Sequence, residues 1–209
     1  MVYTLLMQPF FKYEIQIGKK KTLSSLVAYI LQDSLKRPNE VQKFTLDTCK
    51  HLAEYVELLE IHAQDNSVFI NQSEKVLKLG WFIREAGERF TSVSILATAW
   101  LYCKDLDQVD THQVIKEQGV DLERLAQITQ GQTGLNQCIK DLGLDDFHKV
   151  KPLMDGKSIA NLYEIKPGKL LKPLIDELIS FQILHPGSSK DDAEVYLLGR
   201  KEELIAKYS

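Results

Sequence analysis

Apolar residues recur every three or four positions along most of the 209-residue chain. This spacing predicts amphipathic helices, and Asn39 is the expected cap of the second one. The predicted helical stretches are 22–35, 39–61, 72–89 and 93–103. Gly131 and Gly134 interrupt residues 121–142, which predicts short helices separated by a turn. Because no long apolar-polar alternation is present, we predict an all-α fold.

A polar stretch, LDDFHKVK, interrupts the helical pattern after Gly143. Composition shifts of this kind are typical of boundaries between compact regions. We therefore predict a helical body domain over 1–146 and a smaller helical tail domain over 147–209.

The predicted tail has two clear helix-start signals. Residues 170–184 are strongly amphipathic, and Pro173 is tolerated if that helix begins near Lys169 or Leu170. Ser188 or Ser189 can cap a final helix, whose first turn then contains two aspartates.

Composition and charge narrow the function classes. Hydrophobic residues make up 44% of the chain, charged residues 26%, and the formal net charge is -3. This balance excludes a generally basic coat, so any RNA contact has to come from local patches. Three widely separated cysteines indicate a reducing, intracellular compartment. No apolar run is long enough to span a membrane, so no membrane partner is expected.

The turn around Gly168 is a candidate anion site. A Pro-Gly turn that opens a helix leaves backbone N–H groups unpaired at the positive end of the helix dipole. Lys166 and Lys169 add charge there, while Gly168 allows a close approach of backbone to ligand. The alternative is a simple helix-start turn with solvated lysines, and the residue types alone favour neither interpretation.

Further lysines could extend such a surface. Lys157 follows Gly156 in a comparable arrangement, and Lys172 could lie on the same basic face as Lys151. A second cluster, Lys19, Lys20 and Lys21, precedes a predicted helix, although a loop of three lysines is more often only solvated. All of these would be phosphate contacts without base specificity.

Three sequence elements of the predicted tail resemble a known family. The elements are Asp155-Gly156-Lys157 with Ile159, Lys166-Pro167-Gly168, and Gln182 with Leu184 and Pro186. Together they resemble the tail of CCA-adding tRNA nucleotidyltransferases of the eukaryotic type. The upstream segments YTLLMQPF, KKKTLSSLVAYILQDSLKRP, GWFIREAGERF and WLYC are looser similarities to the body region of the same enzymes.

The resemblance implies that tRNA is the partner and that the body and tail grip its elbow. The RNA-contact candidates are Lys157, Lys166, Gly168, Lys169, Lys172, Lys19, Lys20 and Lys21. At Lys169 the chain departs from the family, where many relatives have a second proline. The compartment would be the cytoplasm, nucleus or mitochondrion.

A catalytic centre is not recognisable in the sequence. The segment Gly187–Asp192 mimics a nucleotide-binding Gly-Ser turn with two carboxylates, but adjacent strand residues point to opposite faces, so helix capping is the better interpretation. Asp105 and Asp107 have the alternating spacing that a pair of metal-binding carboxylates on a strand requires, but they follow a helical apolar run and are expected to lie in a turn. We predict no catalytic residue, metal site or cofactor in this chain. Whether the chain is itself an enzyme stays open.

The resemblance implies that the family's catalytic head uses Mg²⁺, CTP and ATP. The chain would then be an isolated fragment or a separate subunit that works with a catalytic head. The alternative is a helical protein-protein interaction scaffold that does not bind RNA.

Overall fold

The computed structural model of the chain describes residues 2–16, 23–103, 119–165 and 168–208. It is 78% helical with almost no strand, which confirms the all-α prediction. The helices are α1 Val2–Met7, α2 Leu26–Tyr29, α3 Asn39–Gln64, α4 Val68–Asn71, α5 Ser73–Ala86, α6 Phe90–Cys103, α7 Leu122–Asp141, α8 Gly156–Tyr163, α9 Leu171–Leu184, α10 Lys190–Gly199 and α11 Lys201–Tyr208. Short 3₁₀ turns occupy Gln8–Phe10, Gly87–Arg89 and Phe147–Lys149, and a π-helical turn occupies Ile30–Ser34.

Two short strands precede α2. Strand β1, Glu14–Gln16, pairs antiparallel with β2, Leu23–Ser25, and Gln16 faces Leu23. The helix predicted from residue 22 is therefore wrong at residues 23–25, because their backbone groups pair with β1. Helix α2 begins after Ser25, whose hydroxyl accepts a hydrogen bond from the N–H of Ala28.

Two further local predictions are corrected by the structure. Asn39 is the first residue of α3, and Pro38, which has no capping side chain, precedes it. Helix α7 runs unbroken through both glycines that were predicted to interrupt it. At Gly134 an added Cβ would lie 3.0 Å from Cε1 of His62, so this glycine makes room for a neighbouring side chain instead of ending the helix.

The chain divides into two compact units. The first unit comprises Met1–Asn66 and Glu88–Leu135, and the second comprises Ser67–Gly87 and Asn136–Ser209. The predicted boundary between residues 146 and 147 stays a prediction.

In the first unit, an apolar cluster packs the N-terminal segments against α3. Its buried members are Met7, Val27, Leu31 and Cys49. A polar contact joins α6 to α7, where the hydroxyl of Thr98 donates to Oε1 of Gln132 at 3.0 Å and Nε2 of Gln132 donates to the carbonyl of Ser94 at 3.0 Å.

In the second unit, α8, α9, α10 and α11 enclose a continuous apolar core. Its buried members are Met154, Ile159, Tyr163, Leu174, Leu178, Phe181, Ala193, Leu197 and Leu204. Helix α5 packs on α9, where a Cβ at Gly80 would lie 2.4 Å from Cγ2 of Ile183. Next to this close contact, Nε1 of Trp81 donates to the hydroxyl of Ser180 at 3.2 Å.

Among the described helices, none combines the length and the apolar composition that crossing a bilayer requires.

Candidate functional site

Four of the predicted RNA-contact residues fall within the described part of the second unit. Lys157 is the second residue of α8, Lys172 is the second residue of α9, and Gly168 and Lys169 lie in the turn before α9. All four are exposed. Lys166, Lys19, Lys20 and Lys21 lie outside the described residues, as do Asp105 and Asp107.

The start of α8 is fixed by Asp155. Its carboxylate accepts a hydrogen bond from the N–H of Ser158 at 2.7 Å. Hydrogen bonding from Ser158, followed by the positive charges of Lys157 and Lys190, lowers the pKa of Asp155 below its ordinary value. The aspartate of the Asp-Gly-Lys element is therefore a helix cap, and it stays ionised at neutral pH.

The start of α9 has a different construction. The N–H of Leu171 donates to the carbonyl of Gly168 at 3.1 Å, which forms a tight turn before the helix. Leu170 precedes the helix, and its apolar side chain cannot cap it. Pro173 occupies the third helical position, so the expectation that it lies within the first turn is confirmed. The positive end of this helix dipole lies beside exposed Lys169 and Lys172.

The starts of α8 and α9 lie next to each other. An added Cβ on Gly156 would be 2.9 Å from Cδ2 of Leu171, so a larger residue at 156 would push the two starts apart. Lys157 and Lys172 each immediately follow one of these contacting residues. The sequence did not indicate this role for Gly156, because the contact joins residues fifteen positions apart.

The segment that connects these elements is strongly basic. Residues 149–172 contain six lysines but only one aspartate and one glutamate, which gives a formal charge of +4 in a chain of net charge -3. The aspartate is Asp155, which already serves as a cap. A local positive region of this kind is the electrostatic requirement for contact with a polyanion.

Two side chains hold the beginning of this basic segment. Oε1 of Gln182 accepts from the N–H of Leu153 at 3.1 Å, and its Nε2 donates to the carbonyl of Lys151 at 3.2 Å. Nη1 of Arg84 donates to the carbonyl of Val150 at 2.8 Å. The sequence singled out Gln182 only as part of the resemblance to the family, and it indicated neither of these contacts; the available signal was a glutamine among the apolar residues of α9.

A polar cluster on the same unit joins α9 to α10 and α11. Arg200 binds Glu177 of α9 and pairs with both carboxylate oxygens of Glu203 at 2.7 and 2.9 Å. The hydroxyl of Tyr196 donates to Glu177 at 2.9 Å. Since these groups satisfy one another, we assign the cluster to packing of the three helices.

The apparent nucleotide-binding signature at 187–192 is a helix cap, as the sequence predicted. The N–H of Asp192 donates to Oγ of Ser189 at 3.2 Å, and the Asp192 carboxylate accepts from the Ser189 N–H at 2.8 Å. This reciprocal capping box begins α10. The Asp192 side chain is therefore occupied in holding a helix start.

The class of protein to which the chain is related is given by its homologues, which are named tRNA nucleotidyltransferase or CCA tRNA nucleotidyltransferase. It is 41% identical over 67 residues to the tRNA nucleotidyltransferase cca2 of Schizosaccharomyces pombe, which covers 32% of the chain and 14% of the relative. It is 24% identical over 185 residues to cca1 of the same organism, which covers 86% and 33%.

A third relative aligns with nearly the whole chain. The mitochondrial CCA tRNA nucleotidyltransferase of Saccharomyces cerevisiae is 21% identical over 210 residues, which covers 99% of the chain and 34% of the relative. The chain thus spans about a third of the length of the relatives that it matches along most of its own length. No family profile matches the chain. No solved structure matches it either.

Proposed function

We propose that the chain is the tRNA-binding body and tail portion of a CCA tRNA nucleotidyltransferase and grips the tRNA elbow through backbone phosphates. The observation that carries this proposal is the basic segment 149–172, which presents exposed Lys157, Lys169 and Lys172 at two adjoining helix starts. The relatives, whose names state that they act on tRNA, support the choice of tRNA as the polyanion.

The physical basis is phosphate binding without base readout. Lysine ammonium groups are mobile point charges, and the start of α9 adds a positive dipole end beside two of them. Such contacts neutralise phosphates and release counterions, which fixes the position of an RNA but carries no sequence information. A surface of this kind recognises the shape of folded RNA instead of its sequence.

We further propose that catalysis belongs to a partner head domain or subunit that uses Mg²⁺, CTP and ATP. The chain would hold the tRNA at a fixed distance from the elbow, while the head adds nucleotides to the 3′ end. The proposed location is intracellular, in the cytoplasm, nucleus or mitochondrion, and mitochondrial relatives from two yeasts are consistent with this.

A salt titration tests tRNA binding directly. The dissociation constant of the chain is measured for a tRNA transcript and for a polyuridine strand of equal length, at several KCl concentrations. Log affinity for tRNA should fall by roughly 0.7–0.9 per log unit of salt for each phosphate neutralised. A flat curve, or equal affinity for both RNAs, would reject the elbow grip and favour the protein-interaction scaffold.

The division of labour is tested separately by nucleotide incorporation. A tRNA lacking its 3′ CCA is incubated with CTP, ATP and Mg²⁺, with the chain alone and with a nucleotidyltransferase head domain added. We expect incorporation only when the head is present. Incorporation by the chain alone would overturn the proposal that catalysis lies elsewhere.

A further inference from the structure

We propose that Gln182 and Arg84 are positioning residues that give the chain its selectivity for folded RNA over flexible single strands. They do so by holding the backbone of residues 150–153 in one conformation. The inference rests on the proposed function, because it concerns the geometry of the same lysines. Neither side chain is proposed to touch the RNA.

Gln182 acts on the segment as a neighbouring strand would. Its side chain is buried; the carboxamide nitrogen donates to the carbonyl of Lys151, and the carboxamide oxygen accepts from the N–H of Leu153. A residue of an adjacent parallel β-strand makes the same pair of bonds, through its own N–H and C=O, to residues i and i+2. Pro152 lies between them and has no N–H to offer. Gln182 therefore satisfies the polar backbone groups on either side of the proline.

Arg84 holds the segment from a second element. Its guanidinium binds the carbonyl of Val150 at 2.8 Å and lies over the ring of Phe147, 5.8 Å from the centroid. Phe147 is buried, so the arginine is itself oriented by a fixed group. Backbone groups at 150, 151 and 153 are thereby bound by side chains of α5 and α9.

The other end of the segment is fixed on the first residue of α9. Gly156 packs against Leu171, and Gln182 lies eleven residues further along the same helix. At the helical rise, these two attachment points are separated by about 16 Å. The segment that contains the exposed lysines Lys151 and Lys157 is thus attached to α9 at two points along the helix. One of these points is adjacent to exposed Lys172.

A rigid array of cations discriminates between RNA forms. Phosphates of a folded tRNA have fixed positions, so a matching rigid array binds them without ordering either partner. A flexible single strand adapts to any arrangement of lysines and gains little from a fixed one. Releasing the segment should therefore weaken binding of folded tRNA more than binding of an unstructured strand.

The experiment compares Gln182→Met with the matched control Gln132→Met in the full chain. Gln132 is as buried as Gln182, but its hydrogen bonds join α6 to α7 in the first unit. For each variant, the dissociation constants for a tRNA transcript and for polyuridine of equal length are measured, and stoichiometric titration gives the active fraction.

We expect Gln182→Met to reduce the ratio of tRNA to polyuridine affinity by at least about fivefold, with a smaller salt slope for tRNA and a full active fraction. Gln132→Met should leave the ratio and the slope unchanged. Gln182→Glu keeps the acceptor for the N–H of Leu153 but sets a carboxylate oxygen against the carbonyl of Lys151, so it should lower the ratio as well. A fully active Gln182→Met protein with an unchanged ratio would overturn the inference.

A second variant decides the matter if Gln182→Met has a reduced active fraction. Arg84→Met removes the bond to Val150 while leaving the glutamine in place, and it should also lower the ratio; an unchanged ratio in a fully active protein overturns the inference. If the wild-type chain itself binds tRNA and polyuridine equally, the proposed function fails first. If lysine variants weaken tRNA binding but Gln182→Met and Arg84→Met leave the affinity ratio unchanged, the proposed function stands and the positioning role of Gln182 and Arg84 is rejected.

Discussion

Gln132 in the first unit and Gln182 in the second are almost equally buried, at 7% and 6% exposure, yet they stabilise different kinds of structure. Gln132 binds side-chain and backbone groups of a neighbouring helix, so it contributes to helix packing. Gln182 binds only the backbone of a non-helical segment. A buried glutamine that fixes the backbone of a non-helical segment suggests that the conformation of this segment matters. Here the segment belongs to the basic residues 149–172.

The helical glycines Gly80, Gly131 and Gly156 differ in what an added side chain would meet. Gly131 of the first unit has open space where a side chain would be, whereas Gly80 and Gly156 of the second unit both lie against α9. The second unit is thus built around close approaches to α9. The first unit leaves at least this helical glycine without a packing role. The following predictions test that contrast.

Removing core volume should give the largest effect and should act within one unit. Leu178→Ala, at a fully buried position of the second unit, should lower the free energy of unfolding by about 2–5 kcal/mol. Leu52→Ala is the matched change at a fully buried position of the first unit. Hydrogen exchange should show lost protection mainly in the unit that carries each change. Equal loss throughout the chain from either variant would contradict the description as two units.

Adding a methyl group should separate the two classes of glycine. Gly80→Ala places a Cβ 2.4 Å from the side chain of Ile183 and should destabilise by about 1–3 kcal/mol through overpacking. Gly131→Ala meets nothing within 4 Å and should stabilise by about 0.5–1 kcal/mol, because alanine favours helix. Urea unfolding measures both, and a Gly80→Ala protein that is as stable as the wild type or more stable would show that α5 does not approach α9 this closely.

The smallest predicted effect is a pH dependence at the start of α8. The pKa of Asp155 is lowered in the folded protein, so its contribution to stability is complete above the ordinary pKa of 3.8 and is lost as pH falls through the lower folded value. The protection factor of the Ser158 N–H, which is the intrinsic exchange rate at each pH divided by the observed rate, should therefore fall in that acidic range. Asp155→Asn keeps a capping oxygen but cannot titrate, so its exchange should lack this step. A step of equal size in the asparagine variant would exclude Asp155 as its origin.

Local sequence signals predicted much of the fold. Ser189 and Asp192 form the expected capping box, and Pro173 lies in the first turn as expected, because both depend on neighbours within one helical turn. The β1–β2 pairing and the unbroken α7 were missed. Each depends on a partner distant in the chain, such as His62 beside Gly134.

In the candidate site, too, the features set by local sequence could be predicted, and the features set by distant contacts could not. Lys157, Lys169 and Lys172 could be predicted because charged residues at helix starts are visible in a single sequence. Arg84 contacts a residue 66 positions away, and Gln182 contacts residues 29 and 31 positions away. No pattern within one element reports such contacts. The sequence therefore indicated which charges could bind RNA, and the structure adds what holds them.

The central claim is that RNA binding resides in the basic segment of the second unit, and equal charge removal from both units tests it most directly. One triple variant carries Lys157→Ala, Lys169→Ala and Lys172→Ala, and the control carries Lys12→Ala, Lys43→Ala and Lys50→Ala at exposed positions of the first unit. The first should weaken tRNA binding at least about tenfold and lower the salt slope by roughly 2–3, while the control should change neither substantially. Equal losses in both variants, or no loss in the first, would contradict the account.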